Sequence, residues 1–99
     1  MTTILVVDDE APLLHALVIN LRARDYHVEA AATGRAALEK VARSKPDLVI
    51  LDLGLPDMDG IEVLDGIRGW SGIPILVLSA RSTSEEKVRA LEHGADDYV

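Results

Sequence analysis

Short apolar runs alternate with amphipathic stretches along the whole chain. Ile4-Leu5-Val6-Val7, Leu48-Val49-Ile50-Leu51 and Ile75-Leu76-Val77-Leu78 are continuously apolar, the pattern of strands covered on both faces. Tyr26 to Ala32 alternates more weakly and predicts a less buried strand, and Asp96 to Val99 predicts the start of a fifth. Between these runs the period changes to that of helices. Leu13, Leu14, Leu17, Val18 and Leu21 form one stripe behind Ala11-Pro12, proline being tolerated in a first turn. Thr33-Gly34 opens a second helix carrying Ala37, Leu38 and Val41, and Ser44-Lys45-Pro46 closes it. Asp59-Gly60 leads a third with Ile61, Leu64 and Ile67 inward, and Trp70 at its end is a packing residue. Ser82 and Thr83, each followed three residues later by an acid (Glu85, Glu86), predict a capped fourth helix that stops at His93-Gly94. Its expected anchors are only Val88 and Leu91, set among Glu85, Glu86, Lys87, Arg89 and Glu92, so it is weakly fastened and the natural element to shift.

Strands alternating with helices imply right-handed crossovers and a parallel sheet, hence an α/β fold with helices on both faces. The three most apolar runs belong at the centre and the weaker second and fifth at the edges, which the order 2-1-3-4-5 satisfies. That order places strands one and three side by side at the topological switch point, where open sheets bind ligands at their carboxyl ends. Asp8 and Asp9 close the first run and Asp52 closes the third, so three carboxylates share one crevice, and Ser79 ends the neighbouring strand. Like charges that close raise one another's pKa unless something positive sits among them. A hard divalent cation with oxygen ligands is the usual remedy, so the acids suggest a magnesium site and an aspartate that receives a phosphoryl group. Blander readings exist. Asp8 or Asp9 caps the first helix, Asp52 is a turn residue, and Ser79 satisfies a strand end. The convergence of separate segments favours the site. Asp57-Met58-Asp59-Gly60 lacks the spacing of a calcium loop and reads as a turn and an N-cap; His15, His27 and His93 are scattered and receive no ligand role.

Composition narrows the class. The 99 residues, 48% hydrophobic with 3% aromatic, make a single domain, 1–99, with an aliphatic core. A net charge of -7 argues against direct nucleic-acid binding. The absence of cysteine removes disulfides and thiolate metal sites. No run suits a signal peptide or a membrane span, so a cytoplasmic location is expected.

Taken together, these residues resemble the receiver domain of two-component response regulators, over the whole chain. Val7-Asp8-Asp9-Glu10 is similar to the acidic pair after strand one. Leu51-Asp52-Leu53-Gly54-Leu55-Pro56-Asp57-Met58-Asp59-Gly60 is similar to the phosphoacceptor strand and its loop. Leu78-Ser79-Ala80-Arg81 resembles the switch hydroxyl segment, and Gly94-Ala95-Asp96-Asp97-Tyr98 the run into strand five of regulators with winged-helix DNA-binding domains. Leu53-Gly54-Leu55-Pro56, Trp70-Ser71 and Ser79-Ala80-Arg81 resemble regulators of potassium-transport operons in particular. The resemblance implies a doubly wound, flavodoxin-like three-layer sandwich. It implies that Asp52 takes a phosphoryl group from a sensor histidine kinase. Asp9 and Asp52 would bind Mg2+ through their side chains and Gly54 through its carbonyl, with Asp8 orienting the ion through water. Ser79 and the Ala80 N–H would hold the phosphoryl oxygens, and Tyr98 would move inward behind them. The implied assembly is a homodimer through the face of the fourth helix, fifth strand and fifth helix. DNA would be reached only through an output domain.

One feature departs from the pattern. The family has a lysine shortly after the strand-five aromatic and then a final helix; Val99 precedes both, and Lys45 and Lys87 lie in the wrong segments to substitute. The expectation is a truncated last strand, an absent last helix and, for a polypeptide of this length, self-association. A receiver-like module that takes no phosphate is the alternative. An aspartate-nucleophile phosphatase is a third reading, disfavoured because Gly54 stands where that class needs an acid. Arg81, two residues beyond Ser79, is expected to shield the phosphoryl group from water.

Overall fold

The computed structural model describes residues 1–69, 71–78 and 84–99 (for Ser84, the backbone alone). Five strands and four helices alternate: β1 (Thr3–Val7), α1 (Ala11–Arg22), β2 (His27–Ala31), α2 (Gly34–Ser44), β3 (Leu48–Asp52), α3 (Gly60–Arg68), β4 (Ile75–Leu78), α4 (Ser84–Glu92) and β5 (Asp97–Tyr98). The sheet is parallel throughout, in the order β2-β1-β3-β4-β5. The expected order therefore stands, with a β2 that begins at His27: the Tyr26 N–H turns back to the Leu21 carbonyl at the end of α1 (3.3 Å), while the His27 N–H donates to the Thr2 carbonyl beside β1 (3.0 Å).

Alternation along the strands splits the core into two. Leu5, Val7, Val49, Leu51, Ile75 and Val77 face α2 and α3, where Ala37, Val41, Ile61, Val63, Leu64 and Ile67 close over them. Ile4, Val6, Val28 and Ile50 face the other way, against Leu14, Leu17, Val18 and Leu21 of α1. Leu13, expected in that stripe, is exposed: it lies one residue off the inward arc that Leu14, Leu17, Val18 and Leu21 define.

Local chemistry fixes the helix ends. Thr33 Oγ1 accepts from the Ala36 N–H and Asp59 Oδ1 from the Ile61 N–H, so both act as N-caps. Lys45, in the left-handed region at φ 48°, ends α2. The α4 anchors differ from the expectation. Val88 and Leu91 are 53% and 41% exposed, and Ala90, at 0%, is the buried side chain among those described in this helix. The helix thus meets the core through a methyl group, while Val88 and Leu91 turn outward.

A node that the sequence did not reveal ties the far end of the sheet. The Arg68 guanidinium donates to the carbonyls of Gly94 (2.8 Å), Ile73 (2.6 Å) and Ser71 (3.3 Å), and to Asp96 Oδ2 (2.7 Å). Asp96 Oδ2 also accepts from the Ile75 N–H at 2.7 Å. One side chain thus joins α3, the entry to β4 and the entry to β5. Gly94, at φ +106°, is where the chain turns past Arg68, and a Cβ there would lie 3.0 Å from its side chain.

Candidate functional site

Strand register assembles the site. β1 and β3 pair with Val7 opposite Leu51, so Asp8 and Asp52 leave the sheet at the same level. The Asp8 N–H continues the ladder by donating to the Ala31 carbonyl (3.0 Å), which extends the ordered edge one residue past β1. Oxygen atoms of Asp8, Asp9 and Asp52 all lie within 4.8 Å of one another. Their exposure differs: Asp8 is buried at 3%, Asp9 is exposed, and Asp52 is intermediate.

The blander reading of the first pair does not hold. Glu10, not Asp8 or Asp9, occupies the N-cap position of α1, and no side chain caps that helix. Asp8 Oδ1 instead accepts from the Glu10 N–H at 2.9 Å, a local turn that fixes its carboxyl at the crevice floor. Asp52 Oδ1 accepts from the Gly54 N–H at 3.3 Å.

No lysine or arginine forms an ion pair with these three acids among the described residues. The consequence shows in Asp52. Burial, and then the negative charges of Asp8 and Asp9, hold its carboxyl above the ordinary value, outweighing the Gly54 and Leu53 N–H groups that act the other way. An uncompensated set of oxygen donors at the carboxyl edge of the sheet suits a hard divalent cation. Gly54 is exposed and open, with nothing nearer to a would-be Cβ than Asp52 Oδ2 at 3.9 Å.

Tyr98 is buried, at 7% exposure, and its hydroxyl has no partner among the described residues. The ring is thus already inward, where the resemblance implied an inward movement. Ser79, Ala80 and Arg81, with Trp70 and the Ser82-Thr83 cap, lie outside the described residues.

The loop between Asp52 and α3 holds a contact that sequence reasoning missed. Asp57 reads locally as a turn residue. Its carboxylate accepts from the N–H groups of Gly34 (2.8 Å) and Arg35 (3.0 Å) at the start of α2. Those bonds, Arg35 first, lower its pKa. No local signal announces a partner more than twenty residues away. The one trace is Gly34, whose missing side chain leaves room for Met58.

Comparison with known proteins agrees with this geometry. The response regulator receiver domain family matches residues 4–99. The transcriptional regulatory protein KdpE of Mycobacterium tuberculosis is 60% identical over all 99 residues, which cover 44% of that protein. The KDP operon transcriptional regulatory protein KdpE of Escherichia coli is 48% identical over the same span, again 44% of its length. The BeF3-activated N-terminal receiver domain of Klebsiella pneumoniae RstA superposes with a TM-score of 0.93 at 35% identity, covering 99% of this chain and 84% of that one. The chain spans less than half the length of the curated relatives it matches. No helix among the described residues is long and apolar enough to cross a membrane. With its fold, its acidic crevice and its match over residues 4–99 in agreement, the chain belongs to the response regulator receiver domain family.

Proposed function

We propose that Asp52 is the phosphoacceptor of this receiver domain, and that residues 1–99 act as one unit in doing so. A carboxylate oxygen of Asp52 attacks the phosphorus of a phosphohistidine on a sensor kinase. The P–O bond forms as the P–N bond breaks, and the imidazole leaves. The product is an acyl phosphate on Asp52. The observation that carries this reading is the meeting of Asp8, Asp9 and Asp52 within 4.8 Å, with no cationic side chain paired to them among the described residues.

The donor set fits Mg2+: the side chains of Asp9 and Asp52 and the Gly54 carbonyl would hold it, and Asp8 would orient it through water. When bound, the ion supplies charge neutralisation and orientation of the transferred group. The protein's own part is positioning. The β1–β3 register sets the level of the acids, the Asp8 turn fixes the crevice floor, and Gly54 leaves the approach to Asp52 open. In this reading Ser79 and the Ala80 N–H receive the phosphoryl oxygens, and Tyr98 packs behind them. The chain transmits a state and does not turn over a substrate. In the full-length protein the α4–β5 surface, with a fifth helix, forms a homodimer, and DNA is bound by an output domain. The names of the KdpE relatives as transcriptional regulators support the DNA-directed output.

Acetyl phosphate, a small phosphodonor, tests the reading. The full-length protein is expected to gain one phosphoryl group, seen by intact-mass spectrometry, with magnesium and not with EDTA. Asp52→Asn is expected to abolish the gain. Undiminished labelling of that variant refutes the assignment.

A further inference from the structure

Leu53 to Asp59 joins the acceptor strand to α3 and carries Gly54 beside Asp52. Its two feet touch: the Gly60 N–H donates to the Leu53 carbonyl at 3.0 Å, and a Cβ on Gly60 would sit 2.4 Å from Leu53 Cα. Its far side rests on a different element. The Asp57 carboxylate takes the first two N–H groups of α2, on Gly34 and Arg35, while Thr33 Oγ1 takes the third, on Ala36. The seat is shaped on both sides, because a Cβ on Gly34 would lie 2.4 Å from Met58 Cγ and 2.6 Å from its Sδ. Met58 therefore lies against the helix start that Asp57 clasps. A carboxylate on two N–H groups at a helix N-terminus is a charge-assisted contact favoured by the helix dipole.

Thr33 already caps this helix, so the helix does not need Asp57 to begin. The loop does need a hold: Leu53, Leu55 and Met58 are only partly buried, and Gly54 and Pro56 are exposed. We propose that Asp57 is a positioning residue for the Asp52 site, clasping the start of α2 so that the loop presents Gly54 beside Asp52. The proposal rests on the metal and phosphoacceptor reading above. Asp57 touches neither the reacting atoms nor the metal ligands; it acts through the loop backbone.

The test uses the full-length protein and three variants. Asp57→Ala removes both acceptors, Asp57→Asn keeps one, and Thr33→Ala weakens the same helix end without touching the loop. Magnesium affinity is measured by calorimetry, and the Gly54 amide signal is followed by NMR without metal. Asp57→Ala is expected to weaken magnesium binding about tenfold, the scale of a lost support one step behind metal ligands. It is also expected to shift or broaden the Gly54 signal in the metal-free protein. Asp57→Asn should fall between, and Thr33→Ala should leave both readouts at parental values. Parental affinity and an unmoved Gly54 signal in Asp57→Ala overturn the proposal. So does a Thr33→Ala variant that moves both readouts equally, since fraying of α2 then explains them. Failure of the underlying reading looks different: the parent itself then binds no magnesium, and both inferences fall together.

Discussion

Replacing Asp52 by asparagine is expected to stabilise the metal-free protein. Its oxygens lie within 4.8 Å of those of Asp8 and Asp9. At that separation each pair of unit charges repels by about 0.9 kcal/mol in water and about 3.5 kcal/mol at the effective dielectric of a protein surface. Asp9 is exposed and Asp52 only half-buried, so solvent screening places the two pairs together near the lower end, about 1–2 kcal/mol. For a small domain that corresponds to a rise in Tm of roughly 5–10 °C. The assay is thermal unfolding in EDTA at neutral pH, following the receiver transition. The pH dependence adds a check on sign. The folded pKa of Asp52 lies above its unfolded value of 3.8, so the native state holds this proton more tightly than the unfolded chain does. The parent's stability from this group is therefore greatest below the unfolded value. It falls as pH rises through the raised folded value, and the advantage of Asp52→Asn should open over that interval and then level off. Magnesium should narrow the difference, because it stabilises the parent by about 2.7 kcal/mol at a hundredfold excess over Kd and the variant by less. A metal-free Asp52→Asn protein no more stable than the parent would refute the argument that these acids strain the fold.

Two further substitutions probe the scaffold. Gly94→Ala places a Cβ at φ +106° and 3.0 Å from Arg68; it should cost about 1–3 kcal/mol in urea unfolding and more than Gly72→Ala, where nothing stands within 4 Å. Ala90→Gly removes the buried methyl of α4 and adds backbone freedom, so it should cost about 1–2 kcal/mol, with amide exchange rising in α4 well before α3.

The sheet and the acidic crevice were legible because both depend on local pattern. Three continuously apolar runs, two of them ending on Asp8 and Asp52, fix which strands are central, and chirality then leaves little choice of order. What stayed hidden depends on packing or distance. Ala90 rather than Val88 or Leu91 anchors α4, and an apolar count ranks a methyl below the larger side chains that in fact turn outward. Arg68 stands at the end of α3, where a basic residue suits the dipole. Only the fold brings the carbonyls of Gly94 and Ile73 to it. Asp57 sits in a turn-like stretch whose partners at Gly34 and Arg35 belong to the previous helix.

The seating of α4 has a consequence in populations. A helix keeps its own hydrogen bonds when it moves as a body, so displacing α4 breaks only what fastens it. Among the described residues that includes the Ala90 methyl, the partly exposed Arg89–Asp59 ion pair at 3.6 Å and the His93–Asp65 side-chain contact at 2.6 Å. A methyl contact is worth about 0.8 kcal/mol and an exposed pair about 0.2–1 kcal/mol. These contacts together are therefore worth about 1–3 kcal/mol, and a displaced seat that lost only them would be occupied in roughly one molecule in ten to one in a hundred. Arg68, bonded to the Gly94 carbonyl just beyond the helix, holds its C-terminal end and makes that end the pivot. A signal at the crevice would then have only to reweight two positions of a lever held at one end.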